Sequence, residues 1–276
     1  MKSILSVLVA CALAIAIANP PSNHAIRTLR QMQQATSDKN LSGFGANLAQ
    51  DVAGTIVGSV VSMDYTDRSG IVGIWSDFFN NTGPIELTLI EVLGGGNSAA
   101  AAWTNTGFLM HPTSAYSALT YGVAHLNSDG RVDRYNEYAD QVNQPNRTEM
   151  LSVITAFDES MCAGNTNNTI ALFAEDSQFY LATPGGSIRA DRAEITSFFS
   201  SWQSSLIPGN CWHWSSHAAV AGNVAMRIRH SLWKNNTGTE TIERALDVYT
   251  FAAPQPGSSP SSWLLSKWDS YSYRKF

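Results

Sequence analysis

Apolar and polar positions along the chain fall into two rhythms that alternate in blocks. Between Asp67 and Phe78 the apolar residues sit at 71, 74, 75 and 78, one face of a helix. Between Asp191 and Trp202 they sit at 195, 198, 199 and 202, the same face, 124 residues further on. Downstream of each helix the period falls to two, as half-buried strands require. Gly96-Asn97 matches Gly222-Asn223 before a strand-like run, and Arg131–Tyr138 matches Leu264–Tyr271 at a shift of 133. A shift that drifts slowly is what loop insertions produce, so the chain reads as two copies of one fold.

Each copy is predicted to run in the same order. A first helix covers 24–37 and 148–162, and a short helix 43–51 and 168–174. A strand follows at 56–63 and 177–183, then the aligned helix at 67–79 and 191–204. Four strands finish copy one at 85–93, 97–109, 115–127 and 131–139. Those of copy two lie at 211–220, 223–234, 239–251 and 263–273. Helices before a run of antiparallel strands predict an α+β fold. Gly94-Gly95-Gly96-Asn97, Ala221-Gly222-Asn223 and Asn127-Ser128-Asp129-Gly130 supply the hairpin turns. The polar Gln141–Asn146 segment, which contains Pro145, joins the copies. The expected domains are 24–142 and 147–276.

Ahead of them, Met1–Ala18 has one Lys, an apolar run of about 15 residues and a small-x-small ending, the pattern of a secretory signal peptide. That run is shorter than the ~20 residues a bilayer span needs, so a secreted, extracellular protein without a membrane span is expected. Cys11 leaves with that leader. The remaining pair, Cys162 and Cys211, predicts one disulfide in an oxidising compartment, with two free thiols as the alternative. Five Asn-x-Ser/Thr sequons, at Asn40, Asn80, Asn146, Asn167 and Asn235, predict surface glycans on an exported eukaryotic chain.

The closing strand of copy one, Asp129-Gly130-Arg131-Val132-Asp133-Arg134-Tyr135-Asn136-Glu137-Tyr138-Ala139-Asp140, resembles the ending of SnoaL-like domains in the NTF2-like superfamily. Copy two keeps the aromatic-basic spacing from Trp263 to Tyr273 but lacks the Asp-Gly turn and final Asp. The resemblance implies two tandem NTF2-like, cone-shaped half barrels, each with an apolar pocket at its wide end. It also implies that the outer sheet faces pair as an intrachain pseudo-dimer, and that two chains could pair as a homodimer. Its members include isomerases, cyclases, dehydratases, epoxide hydrolases and non-catalytic binders, so the fold leaves the chemistry open.

A net charge of −5, with 17 Lys+Arg and no basic block, argues against a nucleic-acid partner. No phosphate loop, metal motif or nucleophile elbow is present, so neither cofactor nor metal is expected. Candidate chemistry gathers in copy two. His213 and His217 share a strand face. A two-residue turn puts His230 on the next strand opposite His213 or Ser215, and a three-residue turn puts it on the other face. Asp247 and Tyr249 share a face of the following strand, and Asp269 lies on the last. In the family a buried carboxylate commonly moves a proton on a bound ring, its pKa raised by burial. Asp247 would be that base, with His230 or Tyr249 donating to a developing oxyanion. The alternative is a carboxylate paired with Arg227, Arg229 or Arg244. Copy one offers Tyr121, His125, Asp64 and Glu137. Its Ala99–Ala102 run leaves room for a pocket or for a close-packed second layer. Trp75 and Trp202, on the paired helices, would stack on a flat ligand or fill the cores. Three functions remain open: a carrier of a small hydrophobic molecule lined by His213, His217, Trp202, Tyr121, His125 and Trp75; a SnoaL-like enzyme; or a structural or recognition glycoprotein with filled cores.

Overall fold

The computed structural model describes residues 23–58, 62–110, 113–184, 186–254 and 263–275, so the expected leader at 1–18 lies outside the described residues. Copy one comprises α1 (His24–Ser37), α2 (Leu41–Ala46), β1 (Leu48–Val57), β2 (Ser62–Tyr65), α3 (Arg68–Asn81), β3 (Thr82–Gly95), β4 (Ser98–Met110), β5 (Thr113–Leu126) and β6 (Val132–Ala139). Copy two repeats the order with α4 (Arg147–Cys162), α5 (Thr166–Ala171), β7 (Phe173–Thr183), β8 (Gly186–Asp191), α6 (Arg192–Ser204), β9 (Leu206–Ala221), β10 (Val224–Asn235), β11 (Glu240–Ala252) and β12 (Leu264–Lys275). The sheet orders are β2-β1-β6-β5-β4-β3 and β8-β7-β12-β11-β10-β9, the same topology twice.

Local chemistry sets the repeated helix. The Asp67 carboxylate accepts from Gly70 N at 2.8 Å and starts α3. Asp191 starts α6 with a full capping box, in which Glu194 reaches back to the Asp191 amide. Ile71, Trp75 and Phe79 of α3 are buried, as are Ile195 and Phe199 of α6. Each helix thus lays its apolar stripe against the concave face of its sheet.

Two expectations need correction. The short helix of copy one ends at Ala46 rather than running to 51, and Leu48 already opens β1. The buried residues of β1 include Leu48, Val52 and Ile56, a spacing of four that mimics a helix. Four residues is also two strand periods, and Gln50 and Gly54 between them are not buried; the pairing with β6 carries a register irregularity between Leu48 and Ala53. The sheets are also mixed rather than wholly antiparallel. β1 lies parallel to β6 and β7 parallel to β12, and the short strands β2 and β8 add hairpins at the far edges.

The two sheets pack face to face, each on the side away from its own helices. Ala100, Ala102 and Tyr121 of copy one share one apolar cluster with Ala219, Met226 and Ile228 of copy two. The alanine run therefore serves a close-packed second layer: Ala99 and Ala101 face the core of copy one, and Ala100 and Ala102 face the other sheet. Polar contacts fix the docking. Asp140 accepts from Val220 N at 2.8 Å, Tyr180 donates to Ser98 Oγ at 2.8 Å, and Arg244 pairs with Glu91 at 2.5 Å. The β3–β4 turn touches the other copy so closely that a Cβ on Gly95 would sit 1.5 Å from the Thr183 carbonyl oxygen. The joining segment is docked as well, with Gln141 bonded to Gly58 O, Val220 O and Gly222 N.

Candidate functional site

The concave face of sheet two carries charge where an apolar pocket was expected. Asp247 is fully buried and accepts from Arg229 Nε at 2.6 Å, Tyr249 Oη at 3.0 Å and Trp268 Nε1 at 3.2 Å. Arg227 donates to Tyr249 Oη at 2.7 Å and holds both oxygens of Asp158, which reaches down from α4. Arg229 also lies 3.6 Å from Glu243. The strand register makes this network. Arg227 pairs with Asp247 across β10–β11 and Ala225 with Tyr249, so alternate residues stack on one face. The aromatic shell closes it, with Tyr249 stacked on Trp268 at 6.0 Å and 9°.

This arrangement answers the proton-transfer expectation for Asp247. Burial by itself raises its pKa, but the charges of Arg229 and Arg227 overcome burial and hold the carboxyl below its ordinary range. Asp158 is treated the same way: burial raises it, and Arg227 and His213 pull it far lower. Both stay ionised and saturated with donors, the opposite of a poised base. The pairing with Arg227 and Arg229 that sequence left as the alternative is present, but deep in the cone rather than at an edge. Tyr249, pushed well above 10 chiefly by burial, is locked between Arg227 and Asp247.

The three histidines do not share a face. A two-residue turn joins β9 to β10, with Val224 opposite Ala221, and left undisturbed this register would bring His230 opposite Ser215. A bulge between Arg227 and Ile228 shifts it by one, so His230 faces Trp214. The extra residue is His217, with φ of 54°. His213 consequently points inward, with its Nδ1 3.3 Å from Asp158 Oδ1 and its pKa lowered by burial. His230 points outward, stacked on Trp214 at 5.3 Å and 3.0 Å from Ser216 Oγ. The His217 carbonyl accepts from Tyr121 across the domain interface.

Little space remains in this cone. Trp202, Trp233, His213, Arg229 and Glu243 are among the groups around a cavity of about 30 Å³, room for two or three waters. Cys162 and Cys211 form the expected disulfide, with Sγ–Sγ 2.05 Å, tying the end of α4 to β9. Their sulfurs and a His213 nitrogen lie within 4.8 Å of one another. Metal ligation by cysteine requires thiolates, and these two sulfurs are bonded to each other.

Cone one is filled differently. Trp75 packs on Phe44 at 5.3 Å and on Phe79 at 5.8 Å, so it is core rather than a ligand platform. Trp103 lies over Gly122, where an added Cβ would meet its ring at 2.5 Å. The buried Glu137 accepts from Tyr135 Oη, and burial pushes its carboxyl up to about 7, against the lowering effect of that bond. A carboxyl raised by burial, as the resemblance implied, is therefore found in the cone of copy one rather than at Asp247; in copy two burial also raises Asp269, which lies at the interdomain cleft and not in the cone. The cavity beside it, between Trp75, Trp103, Tyr135 and Glu137, is about 10 Å³, one water at most. Asp64 hydrogen-bonds Thr55 at the exposed β1–β2 hairpin, away from this cone.

Two roomier spaces lie outside the cones: a more open, polar depression of about 430 Å³ on copy two, lined by Glu175, Asp176, Arg192 and Thr196, and a space between the copies. A cleft of about 460 Å³ is walled by Val123, His125, Arg134 and Asn136 of copy one. Tyr180, Arg189, Asp269 and Tyr271 of copy two face them, together with Lys267 and the start of α6. His125, expected as a pocket residue, reaches this cleft from the face away from the helices and is held by Asp133 at 2.7 Å. Tyr121 is on the same face but is used up in the interface. Asp269 is the group sequence reasoning noted without assigning a role. Its Oδ2 pairs with Lys267 at 2.6 Å, while its buried Oδ1 has no donor among the described residues. A signal existed: the repeat aligns Arg134 with Lys267 and Asn136 with Asp269, so equivalent positions of the two closing strands meet here.

Of the five sequons, Asn40, Asn80 and Asn167 are exposed, and Asn146 and Asn235 are half-buried. Asn40 caps α2 by accepting from Gly43 N, and Asn235 accepts from three donors of its own turn.

No protein-family model matches this chain, and no curated protein matches it. Solved structures similar to it align with one half at a time. An NTF2-like protein of unknown function from Burkholderia pseudomallei is 18% identical, with a TM-score of 0.39, over 49% of this chain and 100% of that one. An M. tuberculosis LEH-like epoxide hydrolase is 16% identical, with a TM-score of 0.37, over 44% and 86%. A protein with a ketosteroid isomerase-like fold from Catenulispora acidiphila, solved with trimethylamine, is 14% identical, with a TM-score of 0.36, over 40% and 83%. Two six-stranded sheets of identical order, each with its β1-type strand beside the closing strand, make the chain a tandem pair of α+β domains of one topology, as the NTF2-like resemblance of its closing strand implies.

Proposed function

We propose that this chain is an exported binding protein whose small-molecule site is the cleft between its two domains, the cones serving as structural cores. The observation that carries the reading is one of volume. The cleft offers about 460 Å³, within the roughly 300–1,000 Å³ of small-molecule sites, against about 10 and 30 Å³ in the cones. Sites between domains are a common solution because two rigid walls can be tuned separately. The disulfide, the exposed sequons and the apolar leader support export and glycosylation. Catalysis at Asp247 is disfavoured, because its carboxylate is buried, ionised and fully engaged.

Native mass spectrometry of the chain, expressed in its natural source, tests this. The folded protein is expected to retain a small-molecule mass that Asn136→Trp, which plugs the cleft, abolishes. Retention by Asn136→Trp of the same mass at the same level would overturn the reading.

A further inference from the structure

Charge within the cleft is unevenly committed. Asp191 and Glu194 cap α6 and are bonded to each other's amides at 2.9 and 3.0 Å. His125 is taken by Asp133, and Lys267 by Asp269. That leaves Arg134 on one wall and Arg189 on the other, both exposed. Among the described residues no carboxylate lies within ion-pair distance of either guanidinium. Arg189 instead lies over the Tyr180 ring at 5.6 Å, a contact that leaves its N–H donors unused, and it lines the cleft.

Between them is one buried acceptor with nothing to accept. Asp269 is 8% exposed and its Oδ1 has no hydrogen-bond partner among the described residues. A buried acceptor left open is unfavourable, because it has given up water without gaining a donor. Lysine cannot relieve it, because Lys267 holds the other oxygen. The cleft thus presents two cationic forks for an anion and one carboxylate oxygen for a donor, with Val123, Phe179 and Ala190 as apolar lining.

We infer that the cleft binds a small organic acid that also carries a hydroxyl or amino group, its anion held by Arg134 and Arg189 and its donor by Asp269 Oδ1. Arginine forks suit a carboxylate because they bond it bidentately. The duplication explains how such a site can exist. Arg134 and Lys267 occupy equivalent strand positions, as do Asn136 and Asp269. In a symmetric homodimer both walls would carry the same residue. In one chain the equivalent positions can diverge, so that Asp269 supplies an acceptor where copy one has Asn136, while the arginine clamp draws one residue from each copy. This inference rests on the cleft being the ligand site and names the class of ligand that fits it.

Isothermal titration of the full chain at low ionic strength is the test. The probes are glycolate, lactate, 3-phenyllactate, serine and phenylalanine, with 3-phenylpropionate and methyl 3-phenyllactate as controls. At least one hydroxy or amino acid is expected to bind. Arg134→Ala and Arg189→Ala should each weaken it about tenfold or more, the size of one charge-assisted bond. For 3-phenyllactate, loss of the hydroxyl or of the charge should cost a similar factor. The hydroxyl's advantage should vanish in Asp269→Ala; should that variant not fold, the arginine variants and the two controls still decide. Equal binding of ester and acid, or unchanged binding by both arginine variants, overturns the inference. So does failure of every acid when an uncharged molecule occupies the cleft in a manner blocked by Asn136→Trp, an outcome that leaves the binding site itself standing. If nothing small binds there, both readings fall.

Discussion

The two cones of this chain share a topology and almost nothing of their chemistry. Cone one is filled by Phe44, Trp75, Trp103 and Tyr135 around one buried carboxyl, Glu137, whose partner is a neutral tyrosine. Cone two is filled by Asp158, Arg227, Arg229, Glu243 and Asp247, bonded among themselves beneath a shell of Phe157, Phe199, Tyr249 and Trp268. The outcome for a buried acid follows its neighbours. Burial acts upward on both Glu137 and Asp247; Glu137 ends near 7 because its one partner is uncharged, and Asp247 ends low because two guanidiniums face it. One backbone can therefore close its cavity with a hydrophobic plug or with compensated ions, and either solution removes the space a ligand would need.

The largest expected effect breaks cone two. Asp247→Ala removes the anion shared by Arg229 and Arg227 and leaves guanidinium charge in a fully buried place. Stranding one partner of a buried pair costs about 3–5 kcal/mol. Urea denaturation should show that loss, with Asp247→Asn losing less because the amide still accepts from Arg229. A loss under about 1 kcal/mol for Asp247→Ala would mean that water, rather than protein, satisfies the arginines.

Cone one makes the opposite prediction, and it depends on pH. The Glu137 carboxyl titrates near 7 when folded and near 4.5 when unfolded. Between these values the folded state holds the extra proton, so stability falls as pH rises from about 4.5 through about 7. The full difference is about 3 kcal/mol, at 1.36 kcal/mol per pKa unit. Glu137→Gln keeps a hydrogen-bonding group for Tyr135 and removes the titration. It should match the parent near pH 4 and exceed it by up to about 3 kcal/mol at pH 8. Parallel stability curves for the two proteins would refute the assignment. Together the variants separate the cones: one loses stability when its acid is removed, the other gains it.

How much of this difference could be read beforehand follows from what sequence periodicity encodes. The duplication and the eight long strands were legible, because alternation and turn residues are local. Which face each histidine takes was not, because it turned on one bulge at His217 that no local signal marks. The helix-like spacing of Leu48, Val52 and Ile56 concealed β1 because Gln50 and Gly54 stand between them, where strand alternation calls for apolar side chains. Asp247 was singled out as a candidate base or an arginine-paired carboxylate, and what decides between them is Asp158, from a helix 89 positions away in the chain, together with Arg227 and Arg229 across the strand. Contacts that distant leave no trace in spacing. The cleft was the least legible feature, since it belongs to neither copy alone.

A third variant addresses the docking that creates the cleft. Gly95→Ala places a methyl group against the Thr183 backbone, and backbone cannot move aside as a side chain can. Overpacking of this kind costs about 2 kcal/mol, and here the cost should fall on the interface rather than on either core. Calorimetry is expected to show one transition for the parent and two for Gly95→Ala, with Glu137 titration unchanged. One transition at the parent temperature would show that the turn adjusts and that the halves are held elsewhere.

The smallest effect tests the residue that sets the two histidines apart. His217 holds φ of 54°, a left-handed conformation that costs a side-chain-bearing residue about 1–2 kcal/mol and glycine almost nothing. Its carbonyl, not its ring, is what the interface uses, through Tyr121. His217→Gly should therefore keep the bulge, the Tyr121 contact and the outward placement of His230, while gaining up to about 1 kcal/mol after the extra flexibility of unfolded glycine is offset. His217→Val should lose stability, because a β-branched residue is least tolerant of that backbone. If both substitutions leave stability unchanged, the bulge is not strained, and the register shift that separates His213 from His230 has another cause.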